Sequence, residues 1–189
     1  ARLWKIDWKK HFPAVVGDNI RVVLSDYESV SKFASAHFPH IYGFKPENQR
    51  FSDSVDPEIK FRYYAETGDF FAFFDGDVMV GIAIGTPLDW SGYNFRNVSL
   101  LASHHGRGIY QDFFPMLSDI LAQHGVERVE GDVAPSNLPH IYALTKMGVV
   151  VTGLNLSDRW GACLHFTKYL RQDARKIFNH QFCLSTHDL

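Results

Sequence analysis

Residues 99–110, Ser99-Leu100-Leu101-Ala102-Ser103-His104-His105-Gly106-Arg107-Gly108-Ile109-Tyr110, carry the densest chemistry in the chain. An apolar strand end meets two histidines, then a glycine–arginine–glycine turn. A helical pattern follows at once, with Ile109, Phe113, Phe114, Leu117, Ile120 and Leu121 recurring at helical spacing. A glycine-rich turn that opens a helix aims several backbone N–H groups at one spot, and the helix dipole adds partial positive charge there. The product is an anion site, most often for phosphate. Gly106 and Gly108 allow close approach or a positive φ, and Arg107 supplies a cation shaped for phosphate. His104 and His105 lie next to this turn.

Carboxylates and rings farther along offer proton chemistry. Glu130 and Asp132 sit two residues apart in the apolar run from Val126 to Val133, so they share one face of a strand. His140 and Tyr142 follow in a second helical pattern that also carries Leu144 and Lys146. Ten histidines are scattered without the i, i+4 pairing that binds metal on a helix, so no metal site is expected. Two cysteines without close spacing, Cys163 and Cys183, fit a reducing cytosol better than a disulfide scaffold. Net charge is −2, which gives no electrostatic footprint for nucleic acid or an anionic membrane. No run is apolar enough to span a bilayer, and no signal peptide is evident. A cytoplasmic protein is therefore expected.

These residues need a scaffold, and the patterning supplies one. Trp4, Ile6 and Trp8 alternate, so residues 1–19 read as an N-terminal arm or an extra strand. Asn19 to Leu24 reads as a strand, followed by a helix capped at Ser25-Asp26 that stops by Pro39. Residues 40–55 read as a loop, and Pro57 opens a second helix to about Glu66. Two apolar runs around Asp75-Gly76-Asp77 give the clearest hairpin signal. Residues 88–92 form a loop in which Trp90 is expected to pack at a sheet edge, with stacking on a substrate as the alternative. Tyr93 to Leu101 is a third strand of the meander and feeds the glycine turn. Helix, strand, helix and two strands follow, with Ser136 or Asn137 capping the second of these helices. The strand–helix–strand passage makes its flanking strands parallel. The fold class is thus α/β (α+β): a mixed, mostly antiparallel sheet of about seven strands with a central parallel pair and flanking helices. The main domain covers residues 20–169 and a polar tail covers 170–189, with a short helix around Asp173 to Asn179.

That order, with the glycine turn after the third strand of the meander, resembles the GCN5-related N-acetyltransferase (GNAT) superfamily. Two motifs carry the resemblance. The acyl-coenzyme A loop, Arg/Gln-Gly-x-Gly-x-Gly/Ala, is matched by His105-Gly106-Arg107-Gly108-Ile109-Tyr110, with both central glycines kept. The later Asn-x-x-Ala-x-x-Leu-Tyr-x-Lys-x-Gly-Phe is matched by Asn137 through Val149, with Asn137, Lys146 and Gly148 at the same spacing. The resemblance implies acetyl-CoA, or another acyl-CoA, as co-substrate. It places Leu100, Leu101 and Ala102 at a bulged strand end that holds pantetheine and polarises the thioester. It places residues 105–110 on the diphosphate and assigns Asn137 and Lys146 to the same cofactor-binding part. The acceptor implied is a small-molecule amine, and a homodimer is compatible.

The amine must lose a proton before attack, and Asp132, Glu130 and His104 are the candidate bases. The family's usual acid, a tyrosine that protonates the thiolate, is replaced here by Leu144. His140, one helical turn earlier on the same face, is the first substitute. Tyr142, about 200° round the helix, is the second. Direct acyl transfer to an amine is the leading expectation. A GNAT-like module that binds acyl-CoA without catalysis is the alternative. A different phosphate-binding α/β domain is disfavoured by the antiparallel hairpin and the absence of Gly-Lys-Ser/Thr.

Overall fold

A computed structural model describes residues 4–42, 57–157 and 161–181. One sheet organises them. Its strands are β1 (Ala14–Val16), β2 (Ile20–Leu24), β3 (Asp69–Asp75), β4 (Val78–Pro87), β5 (Gly92–Leu100), β6 (Arg128–Val133), β7 (Val150–Ser157) and β8 (Gly161–Tyr169). The helices are α1 (Tyr27–Tyr42), α2 (Pro57–Thr67), α3 (Ile109–Gln123), α4 (Leu138–Lys146) and α5 (Gln172–Gln181). The eight strands lie in the order β1-β2-β3-β4-β5-β6-β8-β7. Only β5 and β6 run parallel; every other neighbour is antiparallel. The eighth strand beyond the expected seven is β1, which closes on β2 around Gly17-Asp18-Asn19. Its three residues are too few for a periodicity signal.

The continuous apolar run in β3 is explained by two covered faces. Phe71 and Phe73 point into the main core with Phe113 and Leu117 of α3, whereas Phe70 joins Val30 and Phe33 of α1 on the other face. Successive strand residues alternate sides, so a buried sheet needs apolar residues at both parities. The arm enters the same main core through Ile6, Trp8 and Phe12. Between Ile6 and Phe12 it forms a 3-10 turn at Trp8–Lys10. The Trp8 indole N–H donates to the buried Asp69 carboxylate at 2.6 Å, which removes the cost of burying that donor. Helix α1 runs through Pro39 to Tyr42 rather than stopping before it. Among the described residues no helix is long and apolar enough to cross a membrane.

The sheet parts between β5 and β6. Their ladder holds only Gly92↔Arg128, Tyr93↔Val129 and Asn94↔Glu130. Beyond it β5 stays with β4 as far as Leu100, and β6 stays with β8 as far as Val133. The register supplies a reason. Gly85 faces Phe95 and Ile84 faces Asn97, so Arg96 is an extra residue in β5. A bulge increases local twist and re-aims the strand, and this one falls two residues past the last β5–β6 pair.

Candidate active site at the parted strands

The parting leaves the facing edge of β5 with backbone groups turned into the opening. The Leu101 N–H donates to the Val80 carbonyl of β4 at 2.9 Å. Across a trans peptide the preceding carbonyl points the other way, and a strand residue's N–H and C=O share a side. Leu100 therefore turns both groups toward β6, and Val98, two residues back, does the same. The expected bulge at Leu100 to Ala102 is corrected here. The bulge lies at Arg96, Leu101 is tied into the sheet, and Ala102–His104 is a 3-10 turn. The cause is tertiary, since β4 holds the end of β5 in register until the chain turns.

Beside this edge lies the glycine turn. Gly106 and Gly108 both have φ +74, the left-handed region, and Gly108 caps α3. Helix α3 thus starts directly at this turn, where its first amides have no partner within the helix. The His105 ring Nε2–H donates to the Leu100 carbonyl at 3.0 Å, across the mouth of the opening. Arg107 is turned elsewhere. Its guanidinium donates to Asp75 at 3.1 Å and lies 3.7 Å from Asp18, carboxylates of two hairpin turns. His104 shares the same anchor, with Nε2 at 3.1 Å from Asp75 and Nδ1 at 2.9 Å from the Ser103 hydroxyl. Hydrogen bonds from His104 and then Arg107 hold the Asp75 carboxyl below its ordinary range. His104 is therefore directed to the β3–β4 turn, on the far side of β5 from the opening.

On the face of the opening that carries α3, Tyr110 stacks near Phe95 of β5, and its ring centre lies 4.9 Å from that of His140. The contact ties the first turn of α3 to the first turn of α4. Asn137 caps α4 by accepting from the His140 backbone N–H at 3.4 Å. Burial raises the Tyr110 pKa and pushes that of His140 down to about 4. At neutral pH His140 is an uncharged ring with a single N–H, which suits a hydrogen-bond donor better than a proton source. The unfolded ring, near 6.5, takes up its proton before the folded one does. His140 therefore costs stability as pH falls from about 6.5 to about 4, and costs none above that window. A ring titration followed by NMR is expected to show a midpoint near 4; a midpoint near 6.5 would contradict the packing against Tyr110.

Leu144 is buried in the main core. Tyr142 is 64% exposed, with the Lys146 ammonium 4.5 Å above its ring. Tyr142 and Lys146 thus lie on the solvent side of α4, and the structure does not bring them to the opening.

The opposite face of the opening holds a polar cluster that the sequence reading only half found. Asp132 faces His165 across the β6–β8 ladder, with His165 Nδ1 2.9 Å from Asp132 Oδ1. The Asn155 amide donates to the same oxygen at 2.7 Å. His165 Nε2 lies 3.4 Å from Glu130 Oε2. Glu130 Oε1 accepts from Arg128 at 2.5 Å, and Arg128 also binds Asp89 and the Ser91 hydroxyl. Burial works against the charge on Arg128, yet its bonds to Asp89 and Glu130 outweigh this and raise its pKa. Burial, then the charge of Asp132, raises the nearby Cys163 thiol. His165 was missed because its partner depends on which strand pairs with β6. Its only local signal is the odd-numbered alternation Cys163, His165, Thr167 on one face. Trp90, expected to pack at an edge, is 85% exposed, while its neighbours Asp89 and Ser91 face inward to Arg128. The part of the expected 40–55 loop from residue 43 onward, and Cys183, lie outside the described residues.

No protein-family model and no curated protein matches the chain. Solved structures do. A GNAT family acetyltransferase from Elizabethkingia anophelis with acetyl-CoA bound aligns at TM-score 0.57 and 12% identity, covering 80% of this chain and 99% of the other. The ribosomal-protein-S18-alanine N-acetyltransferase of Escherichia coli aligns at TM-score 0.59 and 15% identity, covering 81% and 95%. Spermidine N-acetyltransferase from Vibrio cholerae, in complex with CoA and spermine, aligns at TM-score 0.59 and 10% identity, covering 80% and 95%. With the parted parallel pair and the glycine turn at the head of α3, these likenesses establish that the chain has the fold of the GCN5-related N-acetyltransferase superfamily.

Proposed function

We propose that the chain is an acyl-CoA-dependent N-acyltransferase, with acetyl as the donor group and the amine of a small molecule as acceptor. The observation that carries this reading is the opening between β5 and β6 beside the head of α3. The amides of residues 106–110 would take the diphosphate, and those of Val98 and Leu100 would line the pantetheine and polarise the thioester carbonyl. Because Arg107 is engaged by Asp75 and Asp18, the diphosphate site rests on backbone amides and the helix dipole more than on a free cation.

The acyl step is a direct displacement. The amine nitrogen forms a bond to the carbonyl carbon, and the carbon–sulfur bond breaks. One proton leaves the ammonium before attack, and a second passes from the nitrogen to the thiolate. Of the candidate bases, Asp132 lies at the opening beside His165, whereas His104 is committed to Asp75. His140 would offer its neutral N–H to the sulfur. The vanishing of a dedicated acid at Leu144 keeps a second reading alive, that of an acyl-CoA-binding module without turnover.

Calorimetry with acetyl-CoA is expected to show binding, and thiol release with a panel of primary amines is expected to show turnover. Absence of binding at millimolar acetyl-CoA would sink both readings. Binding without turnover for any amine would select the module.

A further inference from the structure

Both nitrogens of the His165 ring face carboxylates, and the two contacts differ in kind. Nδ1 is 2.9 Å from Asp132 Oδ1, a distance at which the ring N–H donates. In the neutral ring this places the proton on Nδ1 and leaves Nε2 with a lone pair. The lone pair then faces Glu130 Oε2 at 3.4 Å, and a carboxylate oxygen is also an acceptor. Two acceptors facing each other call for a donor that reaches both. Glu130 is kept in place by Arg128, which binds its other oxygen and is itself held by Asp89 and Ser91. The arrangement sits at the apex of the opening, since Glu130 belongs to the last β5–β6 pair and Asp132 is the next residue on that face.

We propose that His165 Nε2 and Glu130 Oε2 form the seat for the acceptor's ammonium group, and that His165 takes its proton. This rests on the transferase reading above and names the acceptor class within it: a primary amine that arrives as a cation. A primary ammonium has three N–H groups, one for each of the two acceptors and one to spare. With His165 neutral, Glu130, Asp132 and Asp89 exceed Arg128 in charge, so the seat favours a cation. The proton moves from the ammonium to Nε2 and then to water, leaving the nitrogen lone pair for the thioester. Asp132 is a positioning residue, because it holds the Nδ1–H tautomer, and Asn155 steadies it.

The titratable and charged groups around the ring are Glu130, Asp132 and Arg128 on β6, Cys163 and Tyr169 on β8, and Asp89 on the β4–β5 loop. Activity at fixed amine is therefore expected to have an acid limb.

The test uses the whole chain. His165→Gln keeps the shape near Nε2 without its basicity. It is expected to lower kcat/KM for the amine by about a hundredfold or more and to abolish the acid limb of the pH profile. Acetyl-CoA affinity should not change, because His165 lies away from the glycine turn. Asp132→Asn should weaken kcat more than KM and displace the same limb. A readout without turnover is the 15N spectrum of the His165 ring titrated with propylamine. Propylammonium is expected to shift it, and tetramethylammonium, of equal charge but with no N–H, is not. An acid limb retained in His165→Gln, or a ring indifferent to propylamine, would overturn the proposal. If acetyl-CoA does not bind the wild type, the transferase reading fails by itself, and the ring shift still decides the seat.

Discussion

Gly108→Val is expected to weaken acetyl-CoA binding about a hundredfold while costing only about 1–2 kcal/mol of stability. The two effects have separate causes. Gly108 has φ +74 and caps α3, and a β-branched residue strains that backbone. A Cβ there meets nothing within 4 Å, so no clash with the protein adds to the strain. The open space is the very place from which an anion would approach the first amides of α3. Filling it removes one or two charge-assisted hydrogen bonds at about 1.5–3 kcal/mol each, which gives the hundredfold. Gly125 supplies the control. It has φ +81, is equally open, and lies just beyond the other end of α3. Gly125→Val should lose similar stability and no affinity. Calorimetry and thermal melts on both variants separate strain from site. Equal affinity in Gly108→Val and the wild type would remove the glycine turn from the cofactor.

Gly85→Ala is expected to be the more damaging change to the fold, at about 3–5 kcal/mol. A Cβ on Gly85 would lie 2.1 Å from the Tyr93 hydroxyl oxygen and 2.3 Å from the ring carbon that bears it. Tyr93 is fully buried and donates to Asp69 at 3.2 Å, and Asp69 also accepts from Trp8. The ring cannot yield without loosening a buried carboxylate that ties the arm to the sheet. Overpacking of a core costs about 1–3 kcal/mol, and weakening a bond to a charged group adds about as much. For a chain of this size that is a fall in Tm of about 10 °C. A double-mutant cycle locates the cause: in a Tyr93→Ala background, Gly85→Ala should be close to neutral. A Gly85→Ala protein that melts with the wild type would mean that the ring has another place to go.

Some of this was legible along the chain because it is local. The Asp75-Gly76-Asp77 hairpin, the Asn137 cap and the positive-φ turn at Gly106 and Gly108 each need only a few consecutive residues. Their φ values and hydrogen bonds are set by those residues. The meander followed by one strand–helix–strand passage is legible too, since handedness and connection length leave few topologies. The spacing of Leu144, His140 and Tyr142 on one helix told that Leu144 and Tyr142 face opposite sides, and they do.

What the chain could not disclose lies in register and in partners far apart. A one-residue bulge at Arg96 has no signature of its own, yet it accompanies the parting of β5 from β6 and turns the Leu100 and Val98 amides into a cleft. Arg107 reads as a phosphate ligand until the β1–β2 and β3–β4 turns bring Asp18 and Asp75 to it. Asp132 reads as one strand carboxylate among several until β8 pairs with β6 and sets His165 opposite. The sequence by itself determined the glycine turn, the strand that leads into it and the order of elements, because backbone conformation is a local property. The tertiary structure alone decided which side chains face the opening, because strand pairing has a period of two and a single shift of register exchanges every face.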